Sequence, residues 1–176
     1  MLFRSVEDAL ASLVGAGTVT DAVLANTSAQ AQAMWRLREG IPTVQRYEGG
    51  SIKHDISVPA ARTGAFLEEA EAAVRRVVPG ARVCAFGHLG DGNLHYNVTQ
   101  PVGADEASFL QQWDAVSRVV HDIAVKHGGS ISAEHGIGQM KREELILYKD
   151  PVELDLMRTI KRTLDPLGIF NPGKVL

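Results

Sequence analysis

At 176 residues the chain is long enough to bury a core and short enough for one domain. It is 45% hydrophobic, 22% charged and 6% aromatic with a net charge of −3, so nucleic acid and anionic membrane surfaces are poor partners. Its one cysteine, Cys84, rules out a disulfide framework and a cysteine-built metal site, and no apolar run approaches membrane-spanning length.

The opening MLFRSVEDALASL mixes charges too freely for a signal peptide and reads as an amphipathic helix, so the default expectation is a reducing, cytoplasmic setting without membrane insertion. Val6, Leu10 and Leu13 carry its apolar face, and Gly15 and Gly17 break it. VTDAVLA, 19–25, is a candidate strand. Asn26, Thr27 or Ser28 can cap a helix with Met34, Leu37 and Ile41 on one face, which Pro42 should end or kink. SIKHDISVP, 51–59, alternates as a strand, with Ile52, His54, Ile56 and Val58 on one face and Lys53, Asp55 and Ser57 on the other. A helix from about Ala60 places Phe66, Ala70, Ala73, Val74 and Val77 on its apolar stripe, and Pro79-Gly80 stops it.

Val83–Phe86 and Leu94–Thr99 then read as a hairpin with a polar tip. Phe109, Trp113, Val116, Val120 and Ile123 mark a strongly amphipathic helix ended by Gly128-Gly129. SISAEHGIG, 130–138, reads as a short strand entering a glycine-loosened loop. Helices near 139–148 and from Pro151 close the chain before an irregular tail. The hairpin must be antiparallel, which favours an α+β fold over a doubly wound parallel sheet. The expected form is a mostly antiparallel, ferredoxin-like sheet with helices packed on one face, plus C-terminal helices. No linker interrupts residues 1–176, which are taken as one domain.

Three polar clusters could carry chemistry. In GHLGDGNLHYNVT, 87–99, alternation turns His95, Asn97 and Thr99 away from Leu94, Tyr96 and Val98. The Gly90-Asp91-Gly92 turn can bring His88 close to His95. Two imidazoles on neighbouring strands suit a divalent transition metal, whereas lone histidines and turn-forming Gly, Asp and Asn also occur for purely structural reasons. In SAEHGIGQMK, Glu134 and His135 are adjacent in extended chain and point to opposite sides, so one can join a metal while the other addresses substrate or cofactor. In MWRLREGIP, Arg38 borders the apolar stripe, where a guanidinium makes a bidentate clamp for a carboxylate. Lys53 offers a second positive charge. His54, His121 and His127 carry no functional assignment.

Five stretches in order, MWRLREGI, IKHDISVP, GHLGDGNLHYNV, SAEHGIGQMK and LDPLGIFNPGK, span residues 34–174. Together they resemble the C-terminal domain of the FAD-linked oxidases of the vanillyl-alcohol-oxidase superfamily. The nearest members are D-2-hydroxy-acid dehydrogenases, among them D-2-hydroxyglutarate dehydrogenase, D-lactate dehydrogenase and the glycolate oxidase flavoprotein subunit. The resemblance implies that His88, His95 and Glu134 bind a divalent metal, usually zinc. It implies that Arg38 and Lys53 hold the substrate carboxylate, that Asn97 hydrogen-bonds substrate, and that His135 lies between substrate and FAD as general base. Asn171 would lie near the flavin. Some relatives carry a substrate-contacting threonine four positions after the arginine, where this chain has Pro42.

The implied reaction is oxidation of a D-2-hydroxy acid to a 2-oxo acid. In the family a separate N-terminal domain holds most of the FAD, so the expectation is that a flavin-binding domain or subunit is the partner and that the chain is inactive alone. Two rivals are a non-catalytic metal-binding or assembly module on the same scaffold, and a metal-dependent hydrolase.

Overall fold

In the computed structural model, which describes residues 5–88 and 90–176, the chain divides into a unit of Met1–Tyr47 and a unit of Glu48–Leu176. Residues 1–4 of the expected first helix, and Leu89 in the hairpin tip, lie outside the described residues. The first unit holds α1 (Val6–Gly15) and α2 (Ser28–Val44). Ser5 and Thr27 cap them, their hydroxyl oxygens accepting the Asp8 and Gln30 amides. Pro42 sits inside α2 near its end, where one missing N–H does not stop the helix, and a 3-10 turn, Gln45–Tyr47, follows.

In the second unit β1 (Ser51–Ser57) leads through a 3-10 turn, Ala60–Arg62, into α3 (Thr63–Val77). The hairpin is β2 (Arg82–His88) and β3 (Asn93–Thr99), followed by α4 (Glu106–Leu110), α5 (Trp113–Lys126), α6 (Arg142–Tyr148) and α7 (Pro151–Leu164). The single long helix expected from Phe109 to Ile123 is thus two, broken at Gln111-Gln112. β3 is the central strand of an antiparallel sheet in the order β1-β3-β2.

Register makes the sheet two-faced. Ile52 pairs with Val98, His54 with Tyr96 and Ile56 with Leu94, and all six are buried. Directly opposed residues project to the same side. On that side Phe66, Ala70 and Val74 of α3 and Val116, Val120 and Ala124 of α5 close the core. Burying a large side chain such as Phe66 or Val116 contributes roughly 1.5–3 kcal/mol before entropic costs.

The expectation of a sheet-dominated, ferredoxin-like fold is corrected. Helix accounts for 51% and strand for 13%, and the sheet has only three strands with open edges. Two expected strands are absent. Residues 19–25 have no regular structure, and the stretch from Ser130 forms one isolated bridge, Ser57 to Ser130. The second case has an electrostatic cause. The consecutive amides of Ala133, Glu134 and His135 all donate to Oδ2 of Asp55, at 3.2, 2.9 and 2.8 Å. In a strand successive side chains and amides alternate direction, so three in a row cannot converge on one oxygen. The carboxylate wins over the ladder.

Polar residues, His54, Ser117 and His121, also sit deep in the core. His54 is 2% exposed. Its Nδ1 lies 2.8 Å from the Tyr96 carbonyl and its Nε2 3.2 Å from the Ser117 hydroxyl. The neutral ring satisfies both, with Nδ1–H donating and Nε2 accepting. Burial drives the His54 pKa down to about 3. Burial, then the charges of Lys141 and Arg118, takes His121 down to about 4.

Below the ordinary histidine value the unfolded chain binds a proton that folded His54 refuses, so this contribution to stability is complete above about pH 6.5 and is lost as pH falls toward 3. On this account stability at pH 5 is about 2 kcal/mol lower than at pH 7, read as a lower urea midpoint. His54→Gln should be less stable at pH 7 but flatter in pH. An identical pH slope in the two proteins would rule His54 out as its source.

Candidate functional site

The face of the sheet opposite the core carries the chemistry. Across it Lys53 pairs with Asn97 and Asn97 with Cys84; Asp55 pairs with His95 and His95 with Phe86; Ser57 pairs with Asn93 and Asn93 with His88. Three rows therefore gather Lys53, Asn97, Asp55, His95, Asn93 and His88 on one surface. The tip of the hairpin is held by main-chain contact, since the Val58 amide donates to the Gly92 carbonyl at 3.0 Å and Gly92 adopts φ +73°.

Above this surface runs the loop after α5. The Glu134 carboxylate stands between the two hairpin histidines, with Oε1 3.7 Å from His88 Nδ1 and Oε2 4.0 Å from His95 Nε2. Asn93 Nδ2 donates to Oε1 and fixes its orientation. These separations exceed a hydrogen bond. Imidazole nitrogen and carboxylate oxygen are donor types that a divalent ion of borderline softness accepts. Asp91 Oδ2 is 4.0 Å from His88 Nδ1 on the same side.

His135 emerges beside them. Its ring centroid is 5.8 Å from that of His95, and its Nδ1 is 3.7 Å from Asp55 Oδ2. Phe86 backs the other side of His95, with centroids 5.1 Å apart. Among the described residues, the group whose ligand atoms lie mutually within 4.8 Å is Asp55, His95 and His135, a candidate metal-binding triad that shares His95 with the Glu134 pairing. Asp55 is 4% exposed. Burial by itself would raise its pKa, but the amides of His135 and Glu134, the His135 charge and the amide of Ala133 outweigh that, and the carboxyl stays below its usual range.

Lys53, His135 and Asp55 also line a cavity of about 490 Å³ that continues past Trp113, His121 and Lys141. Lys141 ties the loop down, its Nζ donating to the Ile131 carbonyl at 2.7 Å and the Asp55 carbonyl at 3.5 Å. Asn171 lies in the tail at φ +43°, its carbonyl accepting the Lys174 amide at 3.2 Å, and Lys174 lines the same cavity. Arg38 belongs to α2 in the first unit, where it lines a hollow with Ala25, Ala31, Met34 and Trp35.

Of the residues singled out from sequence, His88, His95, Glu134 and His135 come together, and Lys53 and Asn97 share their face. The residues missed are Asp55, Asn93 and Lys141. Asp55 did carry a signal, being acidic on the polar face of an alternating strand, but only the β1–β3 register reveals that it opposes His95.

The tip gives a sharp test. A Cβ on Gly92 would lie 1.8 Å from the Val58 carbonyl oxygen, whereas one on Gly90 meets nothing within 4 Å. Gly92→Ala should cost more than about 2 kcal/mol, while Gly90→Ala stays within about 0.5 kcal/mol of the parent. Chemical unfolding measures both; equal effects at the two glycines would refute the packing argument.

Residues 2–175 match the family of FAD linked oxidases, C-terminal domain. A D-2-hydroxyglutarate dehydrogenase of Stutzerimonas stutzeri (strain A1501) is 40% identical over 173 residues, covering 96% of this chain and 37% of the relative. One of Xanthomonas citri pv. viticola is 42% identical over 160 residues, covering 90% and 34%. The mitochondrial D-2-hydroxyglutarate dehydrogenase of Arabidopsis thaliana is 40% identical over 160 residues, covering 91% and 27%. The chain thus spans about a third of the length of these relatives. The cytoplasmic expectation is overturned, because the Arabidopsis relative and several others are mitochondrial by name. Among the described residues no helix is long and apolar enough to cross a membrane. With nearly every residue matched, and with the two-histidine hairpin and the Glu134-His135 loop meeting over one face of the sheet, the chain belongs to the FAD-linked oxidase C-terminal domain family of the vanillyl-alcohol-oxidase superfamily, homologous to the D-2-hydroxyglutarate dehydrogenases.

Proposed function

We propose that this chain is the substrate- and metal-binding part of an FAD-dependent dehydrogenase that oxidises a D-2-hydroxy acid to a 2-oxo acid. The observation that carries the reading is the Glu134 carboxylate poised between His88 and His95 with His135 next in sequence. His88, His95 and Glu134 hold the divalent ion, for which zinc is the proposed identity. When bound, the ion supplies Lewis acidity that lowers the pKa of the substrate hydroxyl, and the flavin supplies the hydride acceptor.

The chain's own residues do the rest. Lys53 binds substrate carboxylate and orients C2, and Asn97 hydrogen-bonds the same molecule; Arg38 is assigned to substrate carboxylate by the family resemblance alone. His135 is the general base. Its Nδ1 faces Asp55, which favours the tautomer with the proton there and leaves the lone pair on Nε2 to receive the hydroxyl proton. Asn171 would lie near the flavin. FAD is held mainly by a flavin-binding domain or subunit. Among substrates, D-2-hydroxyglutarate comes first on the names of the relatives, with D-lactate as the alternative.

The test is made on the chain assembled with a flavin-binding partner. Glu134→Ala should lose zinc by elemental analysis and lower turnover at least about 100-fold. His135→Gln should keep zinc and lower kcat about 10²–10⁴-fold. A Glu134→Ala protein that kept both zinc and turnover would defeat the assignment, and a wild-type assembly inert toward every 2-hydroxy acid would favour a non-catalytic metal-binding module.

A further inference from the structure

Asp55 is a buried carboxylate facing the site, and apart from its approach to His135 Nδ1 the metal and substrate assignments do not use it. It sits on β1, opposite His95, yet its bonds run to the loop. Oδ2 accepts three successive amides, from Ala133, Glu134 and His135. The main-chain carbonyl of the same residue accepts the Ala133 amide at 3.3 Å and Lys141 Nζ at 3.5 Å. Lys141 closes the arrangement from the other end through Ile131. One residue of β1 therefore dictates the backbone path that sends the side chains of Glu134 and His135 where they go.

The bonding also distinguishes a charge from a mere acceptor. Each oxygen of an ionised carboxylate offers two lone-pair positions, as an amide oxygen does, but carries a share of a full negative charge that the amide lacks. Three N–H groups on one oxygen call for the former. Oδ1, buried without a hydrogen-bond partner, does not hold the loop.

We propose that Asp55 is a positioning residue, whose carboxylate gathers the amides of residues 133–135 and thereby sets Glu134 between His88 and His95. The inference rests on the reading of Glu134 as a metal ligand, and it denies Asp55 a place in the coordination sphere. The alternative triad of Asp55, His95 and His135 predicts the opposite.

Titration of the intact chain with zinc and with cobalt(II), against a competing chelator, separates these. Asp55→Ala should weaken both metals about 10–100-fold, the range for partners that orient a ligand. At saturating cobalt its visible spectrum should coincide with wild type, because the ligand set is unchanged. Asp55→Asn, which keeps an oxygen facing the amides, should fall between the two in affinity and share that spectrum; if the alanine variant does not fold, this variant carries both readouts. Unchanged affinity in Asp55→Ala, or in Asp55→Asn where that variant stands in for it, would overturn the proposal. So would a saturated spectrum that differs from wild type, which would make Asp55 a ligand. Glu134→Ala run in parallel tests the underlying reading separately, since undiminished affinity there removes Glu134 from the site whatever the Asp55 variants do.

Discussion

Everything at the site depends on the register of β3 between its two neighbours. The period of a strand is two, so a slip of one residue would carry His95 and Asn97 into the core and Tyr96 and Val98 out of it. Burial prevents that slip. Leu94, Tyr96 and Val98 meet Ile56, His54 and Ile52 on one side of the sheet, beneath α3 and α5. The polar rows on the opposite side are aligned by the same pairing. The hydrophobic effect thus assembles the polar surface of the candidate site without contacting it.

The loop that completes the surface obeys a different force. From Ser130 to His135 the chain has enough strand character to bridge to Ser57 once, and then turns aside because a buried anion takes its amides. Backbone donors must be satisfied somewhere, and here they are satisfied by a side chain some eighty residues earlier in the chain. The outcome is a tight segment in which a carboxylate and an imidazole leave consecutive positions for neighbouring tasks. Asn93 adds a second restraint by donating to Glu134 from the foot of β3.

Much of this architecture was legible in the sequence. The apolar stripes of α3 and α5, the alternation of β1 and the hairpin all follow from periodicity, which local burial enforces. Alternation alone turned His95 and Asn97 together. Motif order then pointed to the family before any geometry was known, and the similarity to D-2-hydroxyglutarate dehydrogenases agrees with it. Less legible was the balance of helix and strand. VTDAVLA has the composition of a strand and no partner to pair with, and SISAEHGIG has a competing acceptor that periodicity does not register.

The sequence by itself determined which residues are capable of chemistry and which side of each strand they occupy, because both follow from side-chain type and the two-residue repeat. Only the tertiary structure decided their company. That Asp55 opposes His95, that Glu134 reaches both hairpin histidines, and that three amides abandon a strand for one oxygen are consequences of pairing between distant segments. Such pairing is set by how the core packs and by where a buried charge finds its donors, and neither quantity is local to any stretch of chain.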